Sequence, residues 1–208
     1  MENIKIMIVE DDLDWIKALT RFINHEQDMV VIATATDRRE AVKLGGDLAV
    51  EIILMDINLE GNKYEGIYTA AEIGRINPAK IIMLTSLDEP ETVIQSFTAG
   101  AINYVTKQNY RDIPGVIRAA LNPLNPVELL VKDYHRLKEQ EALAVLSPSE
   151  REIYQLMEEG QSNAQIEQKL HKTNSTLKNQ INSILKKLGA NNRKEAVKKI
   201  KARGLYEK

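Results

Sequence analysis

The residues of this chain that are able to do chemistry are carboxylates placed at the ends of apolar runs. Asp56 follows Ile52-Ile53-Leu54-Met55, and the triplet Glu10-Asp11-Asp12 follows the run Ile4–Val9. Four apolar residues stopped by an aspartate read as a strand buried on both faces, with its C-terminal end bringing a carboxylate to the surface. Two further strand ends carry Thr85-Ser86 and Lys107. Carboxylates brought close together repel, by several kcal/mol per pair at low effective dielectric. A divalent cation removes that penalty, and an oxygen-only ligand set without His or Cys favours Mg²⁺ or Mn²⁺ over zinc. A metal at Asp11 and Asp56 would neutralise phosphoryl oxygens while Asp56 attacks phosphorus to give an aspartyl phosphate. Lys107 would pair with the new charge, and the Thr85 hydroxyl would hydrogen-bond a phosphoryl oxygen.

The elements that hold these groups follow from periodicity. Ile4–Val9 reads as a first strand; Leu13, Ile16, Leu19 and Ile23 then recur at helical spacing behind Asp12, a plausible cap. Met29–Ala35 is a second β-rich run, and residues 37 to 44 predict a short helix ended by Gly45-Gly46. After the Asp56 strand, residues 66 to 76 read as a helix closed by Asn77-Pro78. Lys80–Thr85 is a fourth strand, Pro90–Ala99 a helix with proline at its start, residues 103 to 105 a short fifth strand, and residues 113 to 121 a last helix. Five β-then-helix units imply an α/β doubly wound parallel sheet with its site at the C-terminal strand edge. Trp15 reads as a packing residue.

Asn122-Pro123-Leu124-Asn125-Pro126 cannot continue a helix and marks a domain boundary. Beyond it Val127, Leu130, Tyr134, Leu137, Glu141 and Ala144 follow steps of three and four, a seam of under three heptads. Such a seam belongs either to a linker helix lying against a domain or to a dimeric coiled coil. Ser147, Pro148 and Glu150 have the pattern of a capping box, Gly160 ends that helix, and Ser162 caps a second one over Asn163–Leu170. A third helix carries an apolar stripe of Leu177, Ile181, Ile184, Leu185 and Leu188, with Lys178, Asn179, Asn182, Lys186 and Lys187 on its other face. A fourth covers Arg193–Lys201.

Charge separates the two halves that net charge conceals. Residues 1 to 146 hold 15 Lys+Arg against 23 Asp+Glu, whereas residues 147 to 208 hold 13 against 7. An acidic domain joined to a basic one suggests that the second meets a polyanion. There is no cysteine, which excludes disulfides, zinc thiolates and cysteine nucleophiles. His25, His135 and His171 are scattered. No apolar run approaches a membrane span and the N-terminus lacks a signal-peptide pattern, so the expected location is cytoplasmic.

With these residues in view, positions 1 to 121 resemble the receiver domain of two-component response regulators. The likeness rests on Val9-Glu10-Asp11-Asp12, Leu54-Met55-Asp56-Ile57, Leu84-Thr85-Ser86 and the run from Gly100 to Lys107. It implies a flavodoxin-like five-stranded fold in which Asp56 accepts phosphate from a histidine kinase. It also implies that Glu10, Asp11 and Asp56 hold Mg²⁺ with the Asn58 main-chain carbonyl, and that Thr85 and Tyr104 relay the signal. Positions 146 to 208 are similar to the LuxR-type helix-turn-helix of the NarL/FixJ class, with a linker over 122 to 145. Leu146-Ser147-Pro148-Ser149-Glu150-Arg151-Glu152, residues 160 to 166 and residues 176 to 181 carry that match, extended by residues 184 to 189 and 192 to 196. By this likeness a helix over roughly residues 174 to 188 enters the major groove. Lys178, Asn179 and Asn182 would then face base edges, and Thr173, Thr176, Lys186 and Lys187 would lie nearer phosphates.

The expectation is a non-enzymatic, DNA-binding transcription regulator that forms a homodimer on phosphorylation or DNA binding. A receiver can also control an RNA-binding antiterminator, and a haloacid-dehalogenase-like phosphatase also uses a strand-end aspartate with Mg²⁺. The latter wants a second aspartate where Asn58 stands. Three departures from the family pattern stand out. The loop after Asp56 is about two residues longer and lacks its proline; Gln108 replaces the proline after the lysine; Gln180 and Lys172 stand where histidine and an apolar residue are common.

Overall fold

The computed structural model of the chain describes residues 3–62, 64–86, 89–202 and 205. Five strands, β1 (Ile4–Val9), β2 (Met29–Ala35), β3 (Ile52–Asp56), β4 (Lys80–Thr85) and β5 (Ala101–Thr106), form one sheet of order β2-β1-β3-β4-β5 with every pairing parallel. Between them run α1 (Leu13–Ile23), α2 (Arg38–Asp47), α3 (Glu65–Ile73) and α4 (Pro90–Ala99), and a 3₁₀ turn over Lys107–Asp112 leads into α5 (Ile113–Ala120). Each side of the sheet buries alternate residues. Ile6, Ile8, Ile52, Leu54, Ile82 and Leu84 pack with Ile16, Leu19 and Ile23 of α1 and Ile113 and Ile117 of α5. The alternating partners Met7, Val9, Ile53, Met55 and Met83 are buried as well, as the unbroken apolar runs require. The chain order reverses between β1 and β3, the point at which sheets of this kind place their sites at the C-terminal strand ends.

Two helices end differently from the sequence expectation. α2 does not stop at Gly45-Gly46; it continues through both glycines to Asp47. Gly45 is buried, and a Cβ there would lie 3.2 Å from Ile73 Cγ2 of α3. The glycine therefore lets two helices approach rather than terminating one. α3 ends at Ile73, three residues before the expected 76. Buried Asn77 ties down the turn that follows, donating to Gly45 O at 2.7 Å and Leu48 O at 3.1 Å and accepting from Ala79 N at 2.7 Å.

The helix α6 (Pro126–Leu143) starts behind Asn125, whose Oδ1 accepts from Val127 N at 3.0 Å. The chain separates into two compact units inside α6, one reaching Lys132 and the other beginning at Asp133. In the first unit Glu128 pairs with Lys80 of β4 and Val131 is buried. Of the seam residues, Val127, Leu130 and Leu137 are exposed. In the second unit α7 (Pro148–Glu158), α8 (Asn163–Leu170), α9 (Asn174–Lys187) and α10 (Arg193–Lys201) surround Leu146, Ile153, Tyr154, Ile166, Leu177, Ile181, Ile184 and Ile200. α7 begins with the expected capping box of Ser147 and Glu150, and α8 has a second box of Ser162 and Gln165. No helix among the described residues is long and apolar enough to cross a membrane.

Candidate functional site

Strand pairing brings the separated carboxylates together. Val9 is paired with Met55, so the residues that follow, Glu10 and Asp56, leave adjacent strands side by side. One carboxylate oxygen from each of Glu10, Asp11 and Asp56 lies within 4.8 Å of the others. The acidic triplet divides its work. Glu10 is buried beneath the sheet edge, Asp11 is exposed at the mouth, and Asp12 caps α1 by accepting from Asp14 N at 2.9 Å and Trp15 N at 3.1 Å. From the end of β5, Lys107 places Nζ 2.6 Å from Glu10 Oε2 and 3.1 Å from Asp56 Oδ2. Its ammonium also lies 5.8 Å from the centre of the Trp15 ring, which stands at 84° to the Tyr110 ring with centroids 6.0 Å apart.

These neighbours set the protonation tendencies. Burial pushes the Glu10 carboxyl up to about 7 against the pull of Lys107, with Asp56 adding repulsion. Burial raises Asp56 too, opposed by Lys107 and by a hydrogen bond from the Asn58 N–H. Burial alone would lower the Lys107 ammonium, but the two carboxylates outweigh it and hold it above its ordinary range. Apart from that ammonium no donor reaches Glu10 Oε2 among the described residues. Three carboxylates within 4.8 Å of one another, two of them buried and one at the mouth, are the oxygen donor set a hard divalent cation takes.

Thr85 ends β4 and is buried. The register sets Thr85 opposite Thr106 and Met83 opposite Tyr104, so Thr85 and half-buried Tyr104 share one face of the sheet. The loop after Asp56 reaches back to the site through Glu60, whose N–H donates to Asp11 Oδ2 at 3.1 Å. Glu60 and Gly61 are both left-handed, with φ of 53° and 73°, and Leu59 and Asn62 bridge across them. Lys63 of this loop lies outside the described residues. No cis peptide bond occurs among the described residues, including that before Gln108.

In the second unit the Thr173 side chain caps α9, accepting from Thr176 N at 3.3 Å. Leu177, Ile181 and Ile184 face the core. Lys178, Asn179, Asn182 and Lys186 are exposed, without side-chain partners among the described residues. Ser175 is exposed on the same stripe, at steps of three and four from Lys178, Asn179 and Asn182. Lys187 differs, because its Nζ pairs with Glu150 Oε2 of α7 at 2.6 Å. That ammonium, with the Ser147 N–H next, holds the Glu150 carboxyl down at about 2.

A sheet of this order, with three carboxylates and a lysine at its C-terminal edge, precedes a basic helical unit. Residues 6–117 match the response regulator receiver domain, and residues 144–200 match the bacterial regulatory proteins of the luxR family. The chain belongs to the response regulators. As such it has a receiver domain followed by a LuxR-type DNA-binding domain, and its relatives are transcriptional regulators. The transcriptional regulatory protein LiaR of Bacillus subtilis is 33% identical over 201 residues, spanning 93% of this chain and 94% of the relative. The response regulator protein VraR of Staphylococcus aureus strain Mu3 is 29% identical over 200 residues, spanning 94% and 95%. Among solved structures, the response regulator domain of Thermotoga maritima CheB superposes with a TM-score of 0.54 at 28% identity, covering 58% of this chain and 98% of that one. The Salmonella typhimurium response regulator RcsB shares the fold, with a TM-score of 0.53 at 23% identity over 95% of this chain and 98% of that one.

This response regulator contains functional neighbours that its sequence motifs did not announce. Gly66 is one. A Cβ there would fall 1.8 Å from Asp56 O, so only glycine lets α3 start against the backbone of Asp56 itself. Its one sequence signal is a glycine where the loop meets the helix. The Glu60 N–H and the Glu150 carboxylate are others. Glu150 was legible only as half of a capping box.

Proposed function

We propose that Asp56 accepts a phosphoryl group from a partner histidine kinase and that this controls sequence-specific duplex DNA binding, and hence transcription, through α9. The observation that carries the proposal is the convergence of Glu10, Asp11, Asp56 and Lys107 on one strand edge, with the Lys107 ammonium 3.1 Å from Asp56 Oδ2. An Asp56 oxygen attacks phosphorus; the P–O bond forms as the P–N bond to the kinase histidine breaks, and that electron pair leaves with the imidazole. Mg²⁺ would be held by Glu10, Asp11, Asp56 and the Asn58 main-chain carbonyl, and when bound it supplies charge neutralisation for the phosphoryl oxygens. Lys107 then turns from Asp56 to the new anion, and the Thr85 hydroxyl donates to a phosphoryl oxygen.

Thr85 and Tyr104 share a sheet face, which supports a relay in which the two move together and carry the state of Asp56 to a homodimer-forming surface. The exposed stripe of α9 supports base contacts from Lys178, Asn179 and Asn182 and a phosphate contact from Lys186, with the linked hydroxyls of Thr173, Ser175 and Thr176 at its start nearer phosphates. The protein would act in the cytoplasm, where its kinase and its DNA meet it.

A small phosphodonor with Mg²⁺ tests the acceptor. Wild-type protein should take acid-stable, hydroxylamine-labile label; Asp56→Asn, or wild type in EDTA, should take none. Undiminished label in either sample would move the acceptor elsewhere or remove the metal from the chemistry.

A further inference from the structure

Gln180, Ser183 and Lys187 recur on α9 at steps of three and four and therefore share one flank of the helix. That flank is committed to the first turn of α7. Gln180 Nε2 donates to Ser149 Oγ at 3.2 Å, Ser183 Oγ to Glu150 Oε1 at 2.8 Å, and Lys187 Nζ to Glu150 Oε2 at 2.6 Å. Lys172, in the turn before α9, donates to the same Ser149 Oγ at 3.1 Å. The two departures from the family pattern in this unit, Gln180 and Lys172, thus converge on a single oxygen. Glu150 is only 6% exposed, and Oε2 also accepts from Ser147 N at 2.8 Å. Lys186, one residue earlier, is exposed and has no such partner among the described residues.

We infer that Glu150 is a positioning residue for DNA recognition, one that keeps the Lys187 ammonium off the phosphate backbone and leaves Lys186 as the phosphate-contacting cation of that turn. The inference rests on the reading of α9 as the helix that meets DNA. Its physical basis is the asymmetry of an ion pair whose carboxylate is buried while its ammonium is half in solvent. Moving Lys187 to a phosphate would strip a buried carboxylate of its counter-charge, and do so beside a polyanion. Lys186 gives up only water. Held in place, Lys187 cancels the charge of Glu150, which would otherwise repel the DNA.

Salt dependence separates a lysine that meets phosphate from one that braces. The full chain is titrated with a random-sequence duplex across a salt series, as wild type, Lys186→Ala, Lys187→Ala, Glu150→Gln and the double variant Glu150→Gln/Lys187→Ala. Glutamine preserves the cap, since Gln165 fills the equivalent place in the α8 box of this same chain. Lys186→Ala should flatten the log–log slope by about 0.9, the value of one phosphate contact. Lys187→Ala should leave the slope unchanged. Glu150→Gln frees the ammonium and should steepen the slope by about 0.9, and the double variant should return it to the wild-type value. Flattening by Lys187→Ala equal to that by Lys186→Ala, or no steepening in Glu150→Gln, overturns the role of Glu150. If Lys186→Ala and a further variant titrated alongside, Lys178→Ala, both leave the slope untouched, α9 is not the contacting helix, and the reading beneath the inference falls with it.

Discussion

Gly66 shows how little room the backbone of Asp56 leaves. A methyl group 1.8 Å from Asp56 O cannot be absorbed by a side-chain rotation, because the atom it meets is main chain. Either α3 or the end of β3 must shift. Gly66→Ala should therefore lose about 1–3 kcal/mol or more, in the range of overpacked interiors. It should also slow phosphoryl acceptance although it removes no ligand. Denaturant unfolding and the labelling assay together check this, and wild-type values in both would mean the strand end is free to yield. Asp56, Glu10 and Lys107 were legible because the apolar runs before them mark strand ends. Gly66 was not, because its reason lies in a contact made across the turn rather than in the pattern of its own segment. Glu150 was half legible, since the cap is local while Lys187 lies 37 residues away.

The strands and most helix starts were within reach of the sequence, because periodicity and capping are local physics; the order β2-β1-β3-β4-β5 depends on pairing between distant segments. Met29–Ala35 and Asn163–Leu170 have the bounds their patterns suggested. Helix ends were harder. In α2 a glycine pair that reads as a stop sits inside the helix, because Gly45 serves the packing of α2 on α3. The pair gives a discriminating test. A Cβ at Gly46 would lie 3.7 Å from Ile76 Cδ1, an ordinary contact. Gly46→Ala should accordingly stabilise the protein by about 0.5–1 kcal/mol through helix propensity alone. At Gly45 the 3.2 Å approach to Ile73 Cγ2 opposes that gain, so Gly45→Ala should stabilise less or destabilise. Equal stabilisation by both, measured by thermal melting, would mean that α2 and α3 are not held close.

Over the whole molecule the division of labour follows charge. The acidic half concentrates carboxylates at a sheet edge, and the basic half displays lysines and asparagines on one helix. On the proposed function, a link between them would turn phosphoryl chemistry at Asp56 into control of DNA binding. The direct test is footprinting of the purified full-length protein on genomic DNA, with Mg²⁺, with and without a small phosphodonor, for wild type and Asp56→Asn. Phosphodonor should change the set or occupancy of protected sites for wild type and leave the Asp56→Asn pattern as it was. A wild-type pattern indifferent to phosphodonor while Asp56 carries label, or an equal response from Asp56→Asn, would contradict control of DNA binding through Asp56.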